Sequence, residues 1–153
     1  MAEGKEIRVV VIAMDGSDCS NYAFDWYKKN VHKPDDFVVV VHCPEYQTLM
    51  HHSVGHERKD IEQVAGKMQE EQKKKNDLLE SLKQMLTDAD ISGKVKSIVG
   101  HPGEVIVKAA QDESAHLIVT GTRGLSKLRR TFLGSISDYV LHHAHIPVIV
   151  CRQ

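Results

Sequence analysis

The sequence predicts an α/β domain, a three-layer α/β/α sandwich built on a five-stranded, mainly parallel sheet. Three observations carry this. Ile7–Met14, Phe37–His42 and Leu117–Thr120 are continuous, mostly apolar and largely β-branched runs, the pattern of strands covered on both faces. Stretches of helical periodicity separate the runs, so successive strands read as βαβ units, whose crossovers are right-handed. The first and fourth strands both end in glycine and polar residues, at Asp15-Gly16-Ser17-Asp18 and from Gly121 onward.

At 153 residues the chain reads as one domain, 1–153, large enough to bury roughly two thirds of its unfolded surface. Twenty basic residues stand against 21 acidic ones, with ten histidines, so no overall field draws the molecule to nucleic acid or to an anionic membrane. The amino-terminal residues lack the apolar core of a signal peptide, and the longest apolar run, Val9–Met14, is far too short to span a bilayer. Three cysteines with no C-x-x-C pair do not form a disulfide framework. A cytoplasmic location is expected.

After the first strand, Ser17 or Asp18 is placed to cap a helix from Cys19 to about Asn30, with Tyr22, Ala23, Trp26 and Tyr27 as its apolar stripe. Pro34-Asp35-Asp36 is a turn into the second strand, Phe37–His42. Residues 43–57 lose periodicity and read as a mobile polar loop. Its His51, His52 and His56 have too few carboxylates nearby, and no cysteine, to complete a metal site. A long helix follows, from about Arg58 to Asp90, with Ile61, Val64, Met68, Leu78, Leu82 and Leu86 at helical spacing. Its middle, Gln69–Asp77, is almost all charged or amide, and Gly66 loosens the first half, so the helix is expected to break or overhang the domain there. Ser92-Gly93 is read as its end.

Lys94–Val99 alternates as a strand with one wet face. Gly100-His101-Pro102-Gly103 turns into a helix from Glu104 to about Gln111, with Val105, Ile106 and Ala109 inward, and its two glycines read as punctuation rather than a phosphate loop. A helix at Ile136–His143 and a last strand at Ile146–Cys151 complete the pattern. Pro147 cannot donate to a ladder, which places that strand at a sheet edge.

The most informative stretch joins the fourth strand to the last helix. Gly121 and Gly124 follow the strand, nine residues intervene, and Gly134-Ser135 opens the helix, with Ser135 read as its N-cap. Glycines there take positive φ and let an anion reach backbone N–H groups, and a helix N-terminus adds further donors and a favourable dipole. Arg123, Lys127, Arg129 and Arg130 supply cations between them. Strand, glycine turn, basic loop and helix start together describe a phosphate site. Ligands of such sheets bind beyond the strand carboxyl ends where the strand order reverses; if the first and fourth strands are neighbours, the order is 3-2-1-4-5 and the crevice lies between them.

This G-x-x-G-x9-G-[ST] spacing after a parallel strand resembles the nucleotide loop of the universal stress protein family, in its ATP-binding branch, and the resemblance runs from Ile7 to Arg152. It implies a Rossmann-like sheet of order 3-2-1-4-5, binding of ATP or a related adenine nucleotide, and a homodimer joined through residues 146–151. On this chain Gly121, Arg123, Gly124, Gly134 and Ser135 would hold the phosphates, with Ile136 and Ser137 at the same helix mouth and Mg²⁺ carried, if at all, by the phosphates. Asp15 would accept from ribose or adenine, with Ala13 and Met14 walling the base. The resemblance alone assigns Val41 to the adenine edge. Two other function classes compete: an enzyme of phosphoryl or adenylyl transfer, and a partner-binding domain with a relic loop. The sequence lacks both the G-x-x-x-x-G-K-[ST] loop and the paired glycines of an ATP-pyrophosphatase loop, so no catalytic residue is assigned and slow hydrolysis at most is expected.

Overall fold

A computed structural model of the chain describes residues 4–44, 58–122 and 134–153. The elements run β1 (Val9–Ala13), α1 (Asp18–Asn30), β2 (Phe37–His42), α2 (Arg58–Asp88), β3 (Gly93–Ser97), α3 (Pro102–Asp112), β4 (Leu117–Gly121), α4 (Ser135–His143) and β5 (Val148–Cys151). The strands form one sheet in the order β3-β2-β1-β4-β5, every pair parallel. The predicted order is therefore the observed one, and β1 and β4 are neighbours.

The unbroken apolar strands have the partners they require on both faces. Val10, Ile12, Val38, Val40, Leu117 and Val119 pack with Ala23, Phe24 and Tyr27 of α1 and Leu82 and Leu86 of α2. The alternate residues, Val11, Val39, Val41 and Ile118, pack with Val105, Ile106 and Ala109 of α3 and Val140 of α4. The two-residue period of a strand thus divides one run of valines between two cores. A residue slip in register would exchange them.

Element ends differ from the sequence reading in instructive ways. β1 starts at Val9, later than expected, and so does β5, at Val148, where Pro147 contributes only its carbonyl, which accepts from Ile118 N–H at 3.0 Å. Ser17 is the N-cap of α1, its hydroxyl accepting from Ser20 N–H. In that helix Phe24, not Trp26 or Tyr22, is the fully inward aromatic beside Tyr27. The long helix is continuous through Gly66, and its first half overhangs: Ile61 and Met68 are exposed, whereas Leu82 and Leu86 are buried. It ends before Ser92-Gly93. Asp90 takes the left-handed conformation (φ 54°), and Ile91 N–H returns to Leu86 C=O at 3.0 Å, closing the last turn. Gly93 instead sits in β3, where a Cβ would lie 2.2 Å from the Val38 carbonyl oxygen.

At the amino end of the sheet, Arg8 reaches across to Asp36. Its Nε donates to Oδ1 at 2.7 Å and its second amino group to Oδ2 and to the Val31 carbonyl. Oδ2 also accepts from Tyr27 Oη at 2.7 Å and from Lys33 N–H at 2.9 Å. Burial by itself would raise the Asp36 carboxyl, but the hydrogen bonds from Arg8, Tyr27 and Lys33 outweigh it and hold the group at about 2. Burial, then the same carboxylate, pushes the Tyr27 phenol far above its ordinary range. This network ties β1, the end of α1 and the turn before β2 into one unit.

Candidate functional site

The opposite end of the sheet is open. A cleft of about 90 Å³ lies beyond the carboxyl ends of β1 and β4, lined by Ala13, Met14, Asp15, Ser17, Cys19 and Ser20 on the β1–α1 side. Val41 and Cys43 after β2, Pro102 and Ile106 of α3, and Thr120 and Gly121 of β4 complete its wall. It sits where parallel sheets of this order bind ligands, at the reversal between β1 and β4.

Local chemistry shapes each wall. β1 stays in register with β2 to its end, Met14 N–H donating to the Val41 carbonyl at 3.0 Å, and this holds Ala13, Met14 and Val41 side by side in the wall. The chain then turns sharply. Gly16 adopts φ +80°, and Asp15 Oδ1 accepts from Ser17 N–H at 2.9 Å, an Asx turn that aims the loop into α1. Asp15 is exposed at the rim. Buried His42 stands just behind this wall, its Nδ1 3.3 Å from Ser97 Oγ. Burial and then Lys75 lower its pKa, against the opposing pull of Asp15, so the ring, Lys75 and Asp15 share one field.

Gly121 is needed here for a different reason from the one its sequence context gives. It is not among the glycines of positive φ, which among the described residues are Gly16 and Gly100. A Cβ on Gly121 would stand 2.5 Å from the Cys19 carbonyl oxygen, so the residue is small because β4 passes against the backbone of α1. The expectation of positive φ at this position is corrected accordingly. Gly103 is likewise a packing glycine: a Cβ there would meet the Tyr139 ring at 2.6 Å, which locks α3 to α4.

Of the predicted positions, the structure brings Ala13, Met14, Asp15, Val41 and Gly121 together in the cleft. Gly134, Ser135, Ile136 and Ser137 open α4 and do not line the cleft itself. Gly134, not Ser135, is the N-cap; Ser135 is the first helical residue and is exposed. The glycine there makes no side-chain cap, and α4 begins with backbone donors uncommitted to a capping side chain. Buried Ser137 connects α4 to the cleft, its hydroxyl donating to the Gly121 carbonyl at 3.3 Å. Arg123, Gly124, Lys127, Arg129 and Arg130 lie outside the described residues, as do His51, His52 and His56. Ser17, Cys19, Cys43, Pro102 and Ile106 are lining residues that the sequence did not single out. Ser17 alone carried a signal, as a cap candidate beside Asp15.

The comparisons with known proteins now have a geometry to meet. The family model described as the universal stress protein family matches residues 6–152. The chain belongs to this family. Among its relatives, Universal stress protein Slr1101 of Synechocystis is 39% identical over 74 residues, which cover 48% of this chain and 68% of that protein. Universal stress protein MJ0577 of Methanocaldococcus jannaschii is 34% identical over 91 residues, covering 60% of this chain and 54% of the relative, so the alignment spans only about half of that protein. The solved MJ0577 structure superposes with a TM-score of 0.72 at 23% identity, covering 96% of both chains. A universal stress protein family protein from Arabidopsis thaliana, solved with AMP bound, superposes with a TM-score of 0.68 at 19% identity, covering 95% of this chain and 92% of that one. At such identities the structural matches establish the fold, and they agree with the five-stranded parallel order described above.

Proposed function

We propose that this universal stress protein binds ATP or a related adenine nucleotide in the cleft between β1 and β4, and acts as a nucleotide-dependent regulatory module with little or no hydrolysis. The observation that carries the proposal is the convergence of Ala13, Met14, Asp15, Val41 and Gly121 on one cleft at the switch point. AMP bound to the Arabidopsis relative supports the same ligand class. The base would lie against Ala13, Met14 and Val41, with ribose toward Asp15. Phosphates would run toward Gly121, the glycine-spaced loop with Arg123 and Gly124, and the start of α4 at Gly134, Ser135, Ile136 and Ser137. Mg²⁺ would arrive with the phosphates, since among the described residues no cluster of His, Cys, Asp or Glu is placed to hold a metal.

Fast phosphoryl transfer needs a metal fixed by protein groups and a residue that orients the nucleophile. Among the described residues Asp15 is the single carboxylate lining the cleft, so turnover is expected well below about 1 per second. Extraction and chromatography of the copurifying nucleotide, followed by calorimetry with ATP, test the proposal. Gly124→Val should weaken ATP binding by about tenfold or more. Unchanged affinity in that variant would sink the phosphate assignment, and a metal-dependent turnover above the stated rate, lost in the same variant, would make the protein an enzyme.

We further propose that two copies pair through β5. The two sheet edges differ in a way that supports this. β3 carries Lys94 and Lys96, both paired with Glu113, as edge strands that avoid pairing commonly do. β5 offers Val148, Ile149 and Val150 with no charge among them. A two-fold contact in which each edge meets its equivalent would cover it. Sedimentation should find a dimer at micromolar concentration and Val148→Asp a folded monomer; a monomeric parent protein would exclude the pairing.

A further inference from the structure

Two of the chain's three cysteines lie in the wall of the proposed nucleotide cleft, on different elements. Cys19 is in the first turn of α1, and its carbonyl is the group against which Gly121 packs. Cys43 directly follows β2, and its Sγ lies 3.1 Å from the Gly100 carbonyl, tying the β2 side of the cleft to the loop that leads to Pro102. Both are partly exposed. Cys151, at the end of β5, is buried, and burial pushes its thiol pKa up. The three cysteines therefore divide by position: two are residues of the cleft wall and one is buried in the core.

We propose that Cys19 and Cys43 are thiol-exchange sites for small disulfides, and that a mixed disulfide at either one and an adenine nucleotide in the cleft exclude each other. The inference rests on the nucleotide reading of this cleft. The chemistry is a simple exchange. A protein Sγ, its proton lost to solvent, attacks one sulfur of the small disulfide; the new Sγ–S bond forms as the S–S bond breaks, and the other sulfur leaves as a thiolate. The small disulfide is the oxidant, and a free thiol reverses the step. An added group at either residue would compete for space with a ligand in the cleft that both residues line. At Cys43 it must also displace the sulfur from Gly100, moving the wall that carries Pro102. At Cys19 it enters beside Gly121, where the phosphates are proposed to pass. Conversely, a bound nucleotide would cover both sulfurs.

The full chain is treated with 5,5′-dithiobis(2-nitrobenzoate), with and without saturating ATP. Peptide mass mapping follows each cysteine, and calorimetry measures ATP affinity before and after labelling. Cys19 and Cys43 should react in the native protein and Cys151 only after unfolding. ATP should slow both reactions by about tenfold, and labelling should weaken ATP binding by about tenfold, with recovery on adding dithiothreitol. In a Cys19→Ser, Cys43→Ser variant the reagent should no longer change that variant's own affinity for ATP. Undiminished ATP affinity after complete labelling of both thiols would overturn the inference, as would a native protein in which neither thiol reacts. Protein that binds no ATP before any reagent is added would bring down the nucleotide reading instead, and the inference with it.

Discussion

The two ends of the sheet are built from the same strands and solve opposite problems. At the amino end, a single buried carboxylate, Asp36, collects hydrogen bonds from Arg8, Tyr27 and Lys33, with both of its oxygens engaged. At the carboxyl end the same β1 runs out into Met14-Asp15-Gly16, and the walls of the cleft come from separate segments joined by contacts such as the Asx turn at Asp15, the Cys43–Gly100 contact and the Ser137 hydroxyl. A shared buried carboxylate fixes the strands at one end; at the other the walls enclose a cleft. On the proposed nucleotide reading, stability and binding are separated along the strand axis, and substitutions at the two ends should fail in different ways.

The largest effect is expected at the closed end. Asp36→Ala leaves the partly buried Arg8 guanidinium and the Tyr27 hydroxyl without their acceptor, and should cost about 3 kcal/mol of stability. Thermal unfolding measures it, and calorimetry on the folded fraction should find ATP affinity close to that of the parent. A loss of nucleotide binding in folded Asp36→Ala protein would break the separation of the two ends.

Gly121→Val comes next and belongs to both ends of the comparison. The new Cβ meets the Cys19 carbonyl at 2.5 Å, a backbone atom that cannot swing aside, so about 2–3 kcal/mol of destabilisation is expected together with weaker nucleotide binding. Chemical denaturation reads the first and calorimetry the second. Full stability with lost binding would mean that the strand–helix contact is not what demands glycine here.

These two residues also show where the sequence was legible. The fold was, because an unbroken valine-rich strand has one reason to exist, burial on both faces, and β1, β2 and β4 each have it. The β1 and β4 ends were legible as neighbours bordering a cleft because turn chemistry follows them directly. Gly121 was read as a glycine of positive φ, which it is not; the approach of α1 to β4 that excludes a side chain there joins residues about a hundred apart and leaves no local trace. Phe24 was missed among four neighbouring aromatics because the helix's angle across the sheet decides which of them points inward. Pro102, Ile106, Cys19 and Cys43 reach the cleft only through the strand order. Asp36 read as a turn residue, and nothing near it announces Arg8, 28 positions away.

Acid should find the closed end first. The Asp36 carboxyl is held at about 2 against an ordinary 3.8, so its folded form is depressed. A depressed carboxylate stabilises the fold fully above its unfolded value and loses that contribution as pH falls through the folded one, so the window lies between about 4 and 2. The contribution at stake is roughly 2 kcal/mol. Denaturation midpoints measured across that window should fall in the parent and stay nearly flat in Asp36→Asn, which keeps the shape and removes the titration. Parallel curves for the two proteins would place the acid-sensitive group elsewhere.

Ser137→Ala gives the smallest and most discriminating effect. The Ser137 hydroxyl is buried, and its bond to the Gly121 carbonyl links the start of α4 to the end of β4. At 3.3 Å it is a long hydrogen bond, worth about 1 kcal/mol, and its loss should barely move the unfolding midpoint. Its position matters more than its strength, because the proposed phosphate path runs between the two elements it joins. If the hydroxyl only fastens α4, Ser137→Ala should weaken ATP and AMP equally. If it turns to meet the phosphates when nucleotide is bound, ATP should lose more than AMP, by up to about tenfold. Calorimetry with both nucleotides on the same variant separates a structural link from a contact with the terminal phosphates, and so decides whether the carboxyl end is open by geometry alone or also lends this internal bond to the ligand.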